Sequence, residues 1–270
     1  MAQKFDVCIR GDGMVGRTLA LLLARQRLRV GLVSHATQAT DHHKDDVRAY
    51  SLNSASRDLL SSLRCWPDAL HATPVQHMRV WGDDGGFAHF ESPTPEGLTW
   101  IVDVPTLEAQ LAEAVRYQAE ITRLDAPAPA ALTVVCEGRR SSTRDELGVN
   151  FEVLPYQQHA VAARVRGSIA HRQQALQWFA HHGQGLEILA LLPLGGAQGD
   201  TAALVWSLPP ERAQDMLALH AQAFAQALEE ASHGVLGQLE LISERAMWPL
   251  QLARAERWTG TFADGSAWAL

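Results

Sequence analysis

Residues 4–34 read "KFDVCIRGDGMVGRTLALLLARQRLRVGLVS", and this stretch decides the fold. Apolar side chains dominate 4–10 and 29–34, which predicts two buried strands. A helix is expected between them, from about residue 15 to residue 26, directly after a glycine-rich turn. Two strands joined by such a turn and a helix within about thirty residues predict a right-handed parallel crossover.

The glycine-rich turn has the pattern G-x-G-x-x-G, formed by Gly11, Gly13 and Gly16. The first glycine permits a tight turn, the second lets the backbone approach a pyrophosphate, and the third lets helix and strand pack closely. Free N–H groups at the start of the helix then bind the phosphates. Placed between a strand and a helix, the motif predicts dinucleotide binding rather than a bare structural turn.

Two residues near the turn depart from the usual dinucleotide pattern. Asp12 brings a carboxylate close to the expected pyrophosphate, so either Arg10 or Arg17 offsets it or its side chain points away. An acid usually ends the second strand and accepts the ribose hydroxyls, but here that position is Ser34. A serine binds a hydroxyl without charge assistance. The missing acid also fits a 2′-phosphate, so NADP stays open beside FAD and NAD.

Beyond residue 46, helical and strand patterns are mixed. A helix is expected over about 54–63, and "HMRVW" and "FAHFE" around "GDDGG" predict a β-hairpin outside the parallel sheet. Pro105 opens another helix, and one long amphipathic helix is expected over about 211–232. The sequence therefore predicts an α/β fold, in which a Rossmann-type parallel sheet is interleaved with an antiparallel β-sheet plus helices.

Composition narrows the class of protein. The 270 residues are 47% hydrophobic and carry a formal net charge of −7, whereas nucleic-acid binders usually present a basic field. No nucleic-acid partner is expected. The three cysteines lie far apart, without metal-type spacing, which predicts reduced thiols in a cytoplasmic protein. No signal peptide is recognised, and the most apolar helical stretch, 18–24, is shorter than the ~20 residues of a membrane span.

The segment "DVRAYSLNSASRDLLSSL", residues 46–63, resembles the second flavin-contacting segment of the ubiquinone-biosynthesis hydroxylases. These enzymes are flavin monooxygenases of the para-hydroxybenzoate-hydroxylase-like type. The resemblance places Arg48 beside the flavin. Further segments follow in the family's order, namely "MRVWGDDGG", "WIVDVPTLEAQLAEAV", "YQQHAVAARV", "HRQQALQWF", "LLPL", "LVWSLP" and "WPLQLARAERW".

The resemblance implies an FAD-binding domain formed by 1–72, 101–148 and 246–270, incomplete at its C-terminus, and a substrate domain formed by 73–100 and 149–245. NADPH would reduce the FAD, and O₂ would supply the oxygen that hydroxylates an aromatic or quinone-type substrate. No catalytic triad or metal is expected. A homodimer, membership of a pathway complex and peripheral contact with the inner membrane stay open. The expected cofactor-binding residues are Gly11, Gly13, Gly16, Ser34, Arg48, Glu137 and Gly138.

Together with Asp12 and Ser34, three departures from the family predict weak FAD binding or none. Glu137-Gly138 stands where the family has Asp-Gly, and Pro105 stands where an arginine usually faces the cofactor. The family's third signature, a Gly-Asp segment, should begin where the sequence ends at "TFADGSAWAL", which suggests a fragment or a shortened paralogue. A degenerate, non-catalytic relative acting as a scaffold is therefore an alternative. An NADP-dependent reductase is a third hypothesis.

Two histidine pairs and three tryptophans are the remaining candidates for functional residues. His42-His43 and His181-His182 are expected to be solvated loop residues rather than metal ligands, because adjacent side chains point apart. Trp81, Trp178 and Trp206 fall in the substrate region, where core packing is the expected role.

Overall fold

The computed structural model describes residues 5–34, 46–182 and 185–270. In the first half of the chain the elements are β1 (Phe5–Arg10), α1 (Met14–Arg25), β2 (Val30–Val33), β3 (Ala49–Leu52), α2 (Ser54–Ser62), β4 (Ala72–Val75), β5 (His77–Trp81), β6 (Phe87–Glu91), β7 (Thr99–Asp103), α3 (Val104–Arg116), β8 (Ile121–Leu124) and β9 (Ala130–Val135). In the second half they are α4 (Thr143–Glu146), β10 (Phe151–Gly167), β11 (Gln174–His182), β12 (Gly185–Leu194), β13 (Thr201–Leu208), α5 (Pro210–Ala218), α6 (Ala221–Ala231), β14 (Leu239–Leu241), β15 (Ala246–Ala255), β16 (Thr259–Thr261) and β17 (Ala267–Ala269).

A parallel sheet is built around the first strand, in the order β16-β17-β9-β1-β2-β8. β1 lies parallel to both β2 and β9, and β17 lies parallel to β9, whereas β16 is antiparallel to β17. All four residues of β2 are buried, which explains why its sequence is a continuous apolar run. The predicted strand–turn–helix–strand unit and the mixed α/β class are confirmed.

Helices α1 and α3 pack against each other beside this sheet. Their core is made by Leu21 of α1 and by Leu107 and Leu111 of α3, together with Ile9 and Leu32 from the sheet. Proline at the start of α3 is tolerated because the first helical N–H groups have no partner within the helix. Asp103 precedes it as the N-cap, and its carboxylate accepts a hydrogen bond from the Thr106 N–H at 3.1 Å.

The second large sheet is mainly antiparallel, in the order β14-β10-β13-β12-β11-β5-β6, with β15 also paired to β10. The predicted hairpin is formed by β5 and β6, and β5 joins this sheet by pairing in parallel with β11. One face of the sheet is covered by α5 and α6, where Trp206, Phe224 and Leu228 are fully buried. A small sheet, β3-β7-β4, lies alongside.

The long helix predicted over 211–232 is wrong, because two helices occupy that range. Leu219 has extended backbone angles, φ −62° and ψ 146°, which end α5. His220 then caps α6, since its ring nitrogen accepts a hydrogen bond from the Ala223 N–H at 3.2 Å. An apolar periodicity can continue across such a break, so the pattern alone does not reveal it.

Residues 246–270 divide between the two large sheets. β15 pairs with β10 of the antiparallel sheet, while β16 and β17 extend the parallel sheet next to β9. The chain therefore returns to the parallel sheet only after β15. The division into two domains stays a prediction.

Candidate functional site

The turn after β1, residues 11–13, is called the β1 turn. Gly11 has φ +109°, and a Cβ there would lie 2.5 Å from the carbonyl oxygen of Cys136. A Cβ on Gly16 would lie 1.9 Å from the carbonyl oxygen of Gly11. Both contacts are to backbone, which cannot move aside as a flexible side chain can. The packing of β1, α1 and β9 therefore requires these two glycines.

Gly13 differs from its two neighbours in the motif. Its backbone is ordinary extended, at φ −71° and ψ −175°, and, among the described residues, no atom from outside its own local backbone and adjacent residues lies within 4 Å of where its Cβ would be. Gly13 is the N-cap of α1, where no described side chain caps the helix and no acid stands in the first turn. Free N–H groups beside open space fit a pyrophosphate, so this cradle is suited to a dinucleotide.

Asp12 and Ser34, the two unusual residues of the motif, are in direct contact. The Ser34 hydroxyl donates to Oδ2 of Asp12 at 3.0 Å. The Arg17 guanidinium lies 3.5 Å from the same oxygen, and it also donates to the Glu108 carbonyl at 3.1 Å. Asp12 thus turns toward the end of β2, and Arg17 brings a cation to α3 near the position where the resemblance leads one to expect an arginine.

Arg48 lies between two carboxylates. Its guanidinium is 2.6 Å from Asp46 and 3.3 Å from Glu108, and the side chain is 40% exposed. The hydrogen bond with Asp46 raises the pKa of Arg48. Burial alone would raise the pKa of Asp46, but the hydrogen bonds from Arg48 outweigh it and lower that pKa. The guanidinium is therefore held in place, with much of its charge already balanced.

The Arg48 segment is also tied to the antiparallel sheet. Arg164, on β10, forms an ion pair with the Asp103 carboxylate. The same guanidinium nitrogen lies 3.3 Å from the Asp46 carbonyl and 3.4 Å from the Arg48 carbonyl. This contact fixes residues 46–48 relative to the antiparallel sheet.

The turn after β9, residues 136–138, is called the β9 turn. Its Glu137 side chain has no exposed surface, and its carboxylate accepts 2.6 Å hydrogen bonds from the hydroxyls of Ser141 and Thr143. The Thr143 N–H donates to the same carboxylate at 3.2 Å, and Nε of Arg10 lies 3.5 Å from it. This acid, expected at the cofactor, holds its own loop together in the structure. Its predicted role in cofactor binding stays a prediction.

Gly138 and Cys136 flank that acid and differ from each other. Gly138 has φ +72°, and its Cβ position has no neighbour within 4 Å among the described residues. The Cys136 thiol is largely buried, and burial together with the charge of Glu137 raises its pKa to about 11. Gly138 thus offers an open backbone surface, whereas Cys136 is kept protonated at neutral pH.

A cavity of about 540 Å³ lies between the Arg48 segment, the β9 turn and the antiparallel sheet. Arg48 and Gly138 both line it, while small side chains, Ala162 and Ala203, line its sheet side together with Trp248. The structure thus divides six of the seven predicted residues into two groups, and the buried Glu137 belongs to neither. Gly11, Gly13, Gly16 and Ser34 gather around the β1 turn, and Arg48 and Gly138 meet at the cavity.

Trp248 is the tryptophan that sequence reasoning missed. Trp206 is buried under the helices, and Trp178 stacks on Trp81 with ring centroids 4.9 Å apart, as core packing predicts. Trp248 instead pairs with Ala160 across the strands. Ala160 and Ala162 share a strand face, opposite to that of Trp206. This alternation of strand faces would have placed Trp248 at the cavity, but it can be applied only once the pairing register of the strands is known.

The two histidine pairs differ in what the structure describes of them. His42 and His43 lie outside the described residues, whereas His181 and His182 end strand β11 and are not the loop residues that were expected. The His181 ring is hydrogen-bonded to Asp83. No group of three or more histidine, cysteine or acidic residues that could hold a metal occurs in the described ranges. Among these same residues, no helix combines the length and apolarity needed to cross a bilayer.

The chain is similar to ubiquinone hydroxylases over most of its length, although no protein-family model matches it. Ubiquinone hydroxylase UbiL of Rhodospirillum rubrum is 28% identical over 286 residues, which cover 94% of this chain and 63% of UbiL. The 3-demethoxyubiquinol 3-hydroxylase of Escherichia coli is 24% identical, covering 79% of this chain and 60% of its own length. The chain thus spans less than two thirds of these relatives.

Solved structures agree on the fold. PqsL of Pseudomonas aeruginosa, a probable FAD-dependent monooxygenase, matches with a TM-score of 0.73 at 20% identity, covering 98% of this chain and 78% of PqsL. The resemblance predicted from the sequence is therefore confirmed, and the chain has the fold of the FAD-dependent monooxygenases.

Proposed function

We propose that this chain is an FAD-dependent hydroxylase of an aromatic quinone precursor, with NADPH as reductant and O₂ as oxygen source. The observation that carries the proposal is the cavity lined by Arg48, Gly138 and Trp248, which lies between the two sheets. Ligand sites of this kind are concave and mostly apolar, with a few fixed polar groups. One relative is named a ubiquinone hydroxylase and another a 3-demethoxyubiquinol 3-hydroxylase, which supports a quinone-type substrate.

The β1 turn is suited to the FAD pyrophosphate. The open space over Gly13 and the uncapped start of α1 would accept it, while Gly11 and Gly16 set the geometry of the turn. Arg48 and the backbone of Gly138 would hold the flavin end at the cavity. Bound FAD supplies the redox and oxygen-transfer chemistry, which no side chain of the protein can supply.

The cavity wall would orient the substrate and exclude water. Ala162, Ala203 and Val205 are small, and they leave room for a planar ring on this face of the sheet. Trp248 adds an aromatic surface against which such a ring can stack. Arg48, held by Asp46 and Glu108, keeps its position without a ligand, which reduces the entropy that binding must overcome.

A non-catalytic scaffold is the second candidate, favoured by a specific observation. The Glu137 carboxylate is buried in its own loop, and Arg48 is already paired with two acids. Both groups thus have less to offer a cofactor than free charges would. Weak FAD binding by this chain is therefore the expectation under the first candidate, and no binding is the expectation under the second.

Titration of the purified chain with FAD, followed by flavin fluorescence, separates the two candidates. We expect saturable binding that Gly13→Val weakens by about tenfold or more, because the new side chain fills the space intended for phosphate. Ala88→Val adds bulk on the exposed strand β6 and serves as the matched control. Substrate-dependent NADPH oxidation with a hydroxylated product would then support catalysis. Absence of FAD binding at millimolar concentration would favour the scaffold.

A further inference from the structure

We propose that Asp12, in the β1 turn, supplies the carboxylate that binds the adenosine ribose of the dinucleotide, and that Ser34 positions it. The inference rests on dinucleotide binding in the proposed function and deepens it. It explains how a chain without an acid at the end of β2 keeps a ribose site, and it selects the class of nucleotide that this site accepts.

The position of Ser34 is set by the parallel sheet. It directly follows β2, and its N–H donates to the Leu124 carbonyl of β8 at 3.1 Å. An acid at this position normally accepts the ribose hydroxyls. Here the serine hydroxyl donates to Oδ2 of Asp12 at 3.0 Å. The carboxylate from the neighbouring turn is therefore held at the place where the usual acid would stand.

The free side of the Asp12 carboxylate is suited to a ligand. Ser34 and Arg17 both donate to Oδ2, so within residues 5–34, 46–182 and 185–270 Oδ1 has no hydrogen-bond donor. The side chain is 30% exposed. Ribose hydroxyls donate, and a carboxylate is the stronger acceptor because the bond is charge-assisted. Ser34 alone would offer only a neutral hydroxyl.

The sign of this charge selects the nucleotide. A carboxylate at the ribose attracts the 2′-hydroxyl but repels a 2′-phosphate, because like charges at contact distance are unfavourable. The site is therefore expected to accept ADP-type ligands such as FAD and to reject those carrying a 2′-phosphate, as NADPH does. NADPH would then act from another position, and the NADP-dependent reductase suggested by the missing acid is disfavoured.

A rival role for Asp12 is repulsion of the pyrophosphate, only partly offset by Arg17 at 3.5 Å. The two roles predict opposite effects of Asp12→Asn, which keeps the shape and the acceptor for Ser34 but removes the charge. If Asp12 binds ribose, the variant lowers the affinity for both ADP and adenosine. If Asp12 repels phosphate, the variant raises the affinity for ADP and leaves the affinity for adenosine unchanged.

Isothermal titration of the whole chain with ADP, 2′-deoxy-ADP, 2′,5′-ADP and adenosine tests the inference. We expect the unaltered chain to prefer ADP over 2′-deoxy-ADP and over 2′,5′-ADP by about tenfold each. Asp12→Asn should abolish both preferences and lower the affinity for adenosine, while its melting temperature stays unchanged. In that background Ser34→Asp should restore the preference for ADP, since it returns an acid to the end of β2.

Each result has one meaning. Unchanged preferences in Asp12→Asn, or tighter ADP with unchanged adenosine, would overturn the role given to Asp12 while leaving dinucleotide binding intact. Failure of the unaltered chain to bind either ADP or FAD would instead contradict the proposed function itself. Ser34→Ala should weaken ADP binding by only about two- to threefold, because the serine acts through Asp12. If Ser34→Ala instead loses more ADP affinity than Asp12→Asn does, Ser34 is itself the ribose ligand.

Discussion

The β1 turn and the β9 turn lie side by side at the carboxyl edge of the parallel sheet, and each places an acid next to a glycine. In the β9 turn, the Glu137 side chain is fully buried, accepts hydrogen bonds from two hydroxyls and an N–H, and forms an ion pair with a guanidinium. In the β1 turn, Asp12 is 30% exposed and receives one hydroxyl bond and one distant guanidinium. Neighbouring acids of one chemical type thus have different tasks.

The difference teaches that the donors around a carboxylate decide its role. The loop after β9 brings Ser141 and Thr143 to Glu137, which satisfies a charge that would otherwise be costly to bury. In the β1 turn, Asp12 receives a single short hydrogen bond, from Ser34 at the end of β2, and its Oδ1 has no hydrogen-bond donor among the described residues. A buried, satisfied acid stabilises the fold, whereas a half-satisfied acid at the surface can serve a ligand.

The largest effect is expected on stability, from a substitution that disrupts the close packing of α1 on the β1 turn. Gly16→Ala places a methyl group 1.9 Å from the Gly11 carbonyl, and the backbone must shift to accept it. We expect the free energy of unfolding to fall by about 3 kcal/mol or more. Gly13→Ala is the matched control, with a change below about 0.5 kcal/mol. Urea denaturation measures both, and equal stability of the two variants would refute the packing role of Gly16.

A smaller effect on stability is expected when the two acids, Glu137 and Asp12, are neutralised one at a time. Glu137→Gln keeps the side-chain shape but loses charge-assisted bonds and leaves Arg10 with a weaker partner inside the protein. We expect a loss of about 2 kcal/mol in unfolding free energy. Asp12→Asn should change stability by less than about 0.5 kcal/mol, because the side chain is part exposed. Thermal and urea unfolding report both values, and a greater loss in Asp12→Asn would reverse the comparison.

The smallest expected effect is on the reactivity of Cys136. Because its pKa is raised to about 11, nearly all of the thiol is protonated at pH 8, and its alkylation rate should rise about tenfold per pH unit until the pH reaches about 11. Glu137→Gln removes the lesser of the two causes, so alkylation at pH 8 should rise by about two- to fivefold. Asp12→Asn should leave the rate unchanged. Peptide mass spectrometry after timed iodoacetamide treatment gives the rates, and an ordinary thiol rate in the unaltered chain would contradict the burial argument.

Sequence patterns predicted the elements around the site well. The β1–α1–β2 unit, the hairpin of β5 and β6 and the proline-initiated α3 all lie within a few residues of their expected positions. These features depend on local periodicity and on the backbone limits of glycine and proline, which neighbouring residues determine. The resemblance to flavin hydroxylases added Arg48 and Gly138, which the structure brings to one cavity.

Other features could not be read from the sequence. The break at Leu219 within an apolar pattern, the face on which Trp248 lies and the buried partners of Glu137 each depend on contacts across the fold. Trp248 lines the cavity because β15 pairs with β10 in one register, and a shift by one residue would turn the ring to the other face.

The sequence by itself determined that residues 5–25 form a strand, a glycine turn and a helix with the G-x-G-x-x-G pattern, because those steps are short-range and steric. Only the tertiary structure decided what the acids in the turns do. The Asp12 carboxylate meets Ser34 across 22 positions, and the Glu137 carboxylate meets Arg10 from a neighbouring strand. A charge takes its role from the donors and solvent that surround it, and folding brings those donors together from distant parts of the chain.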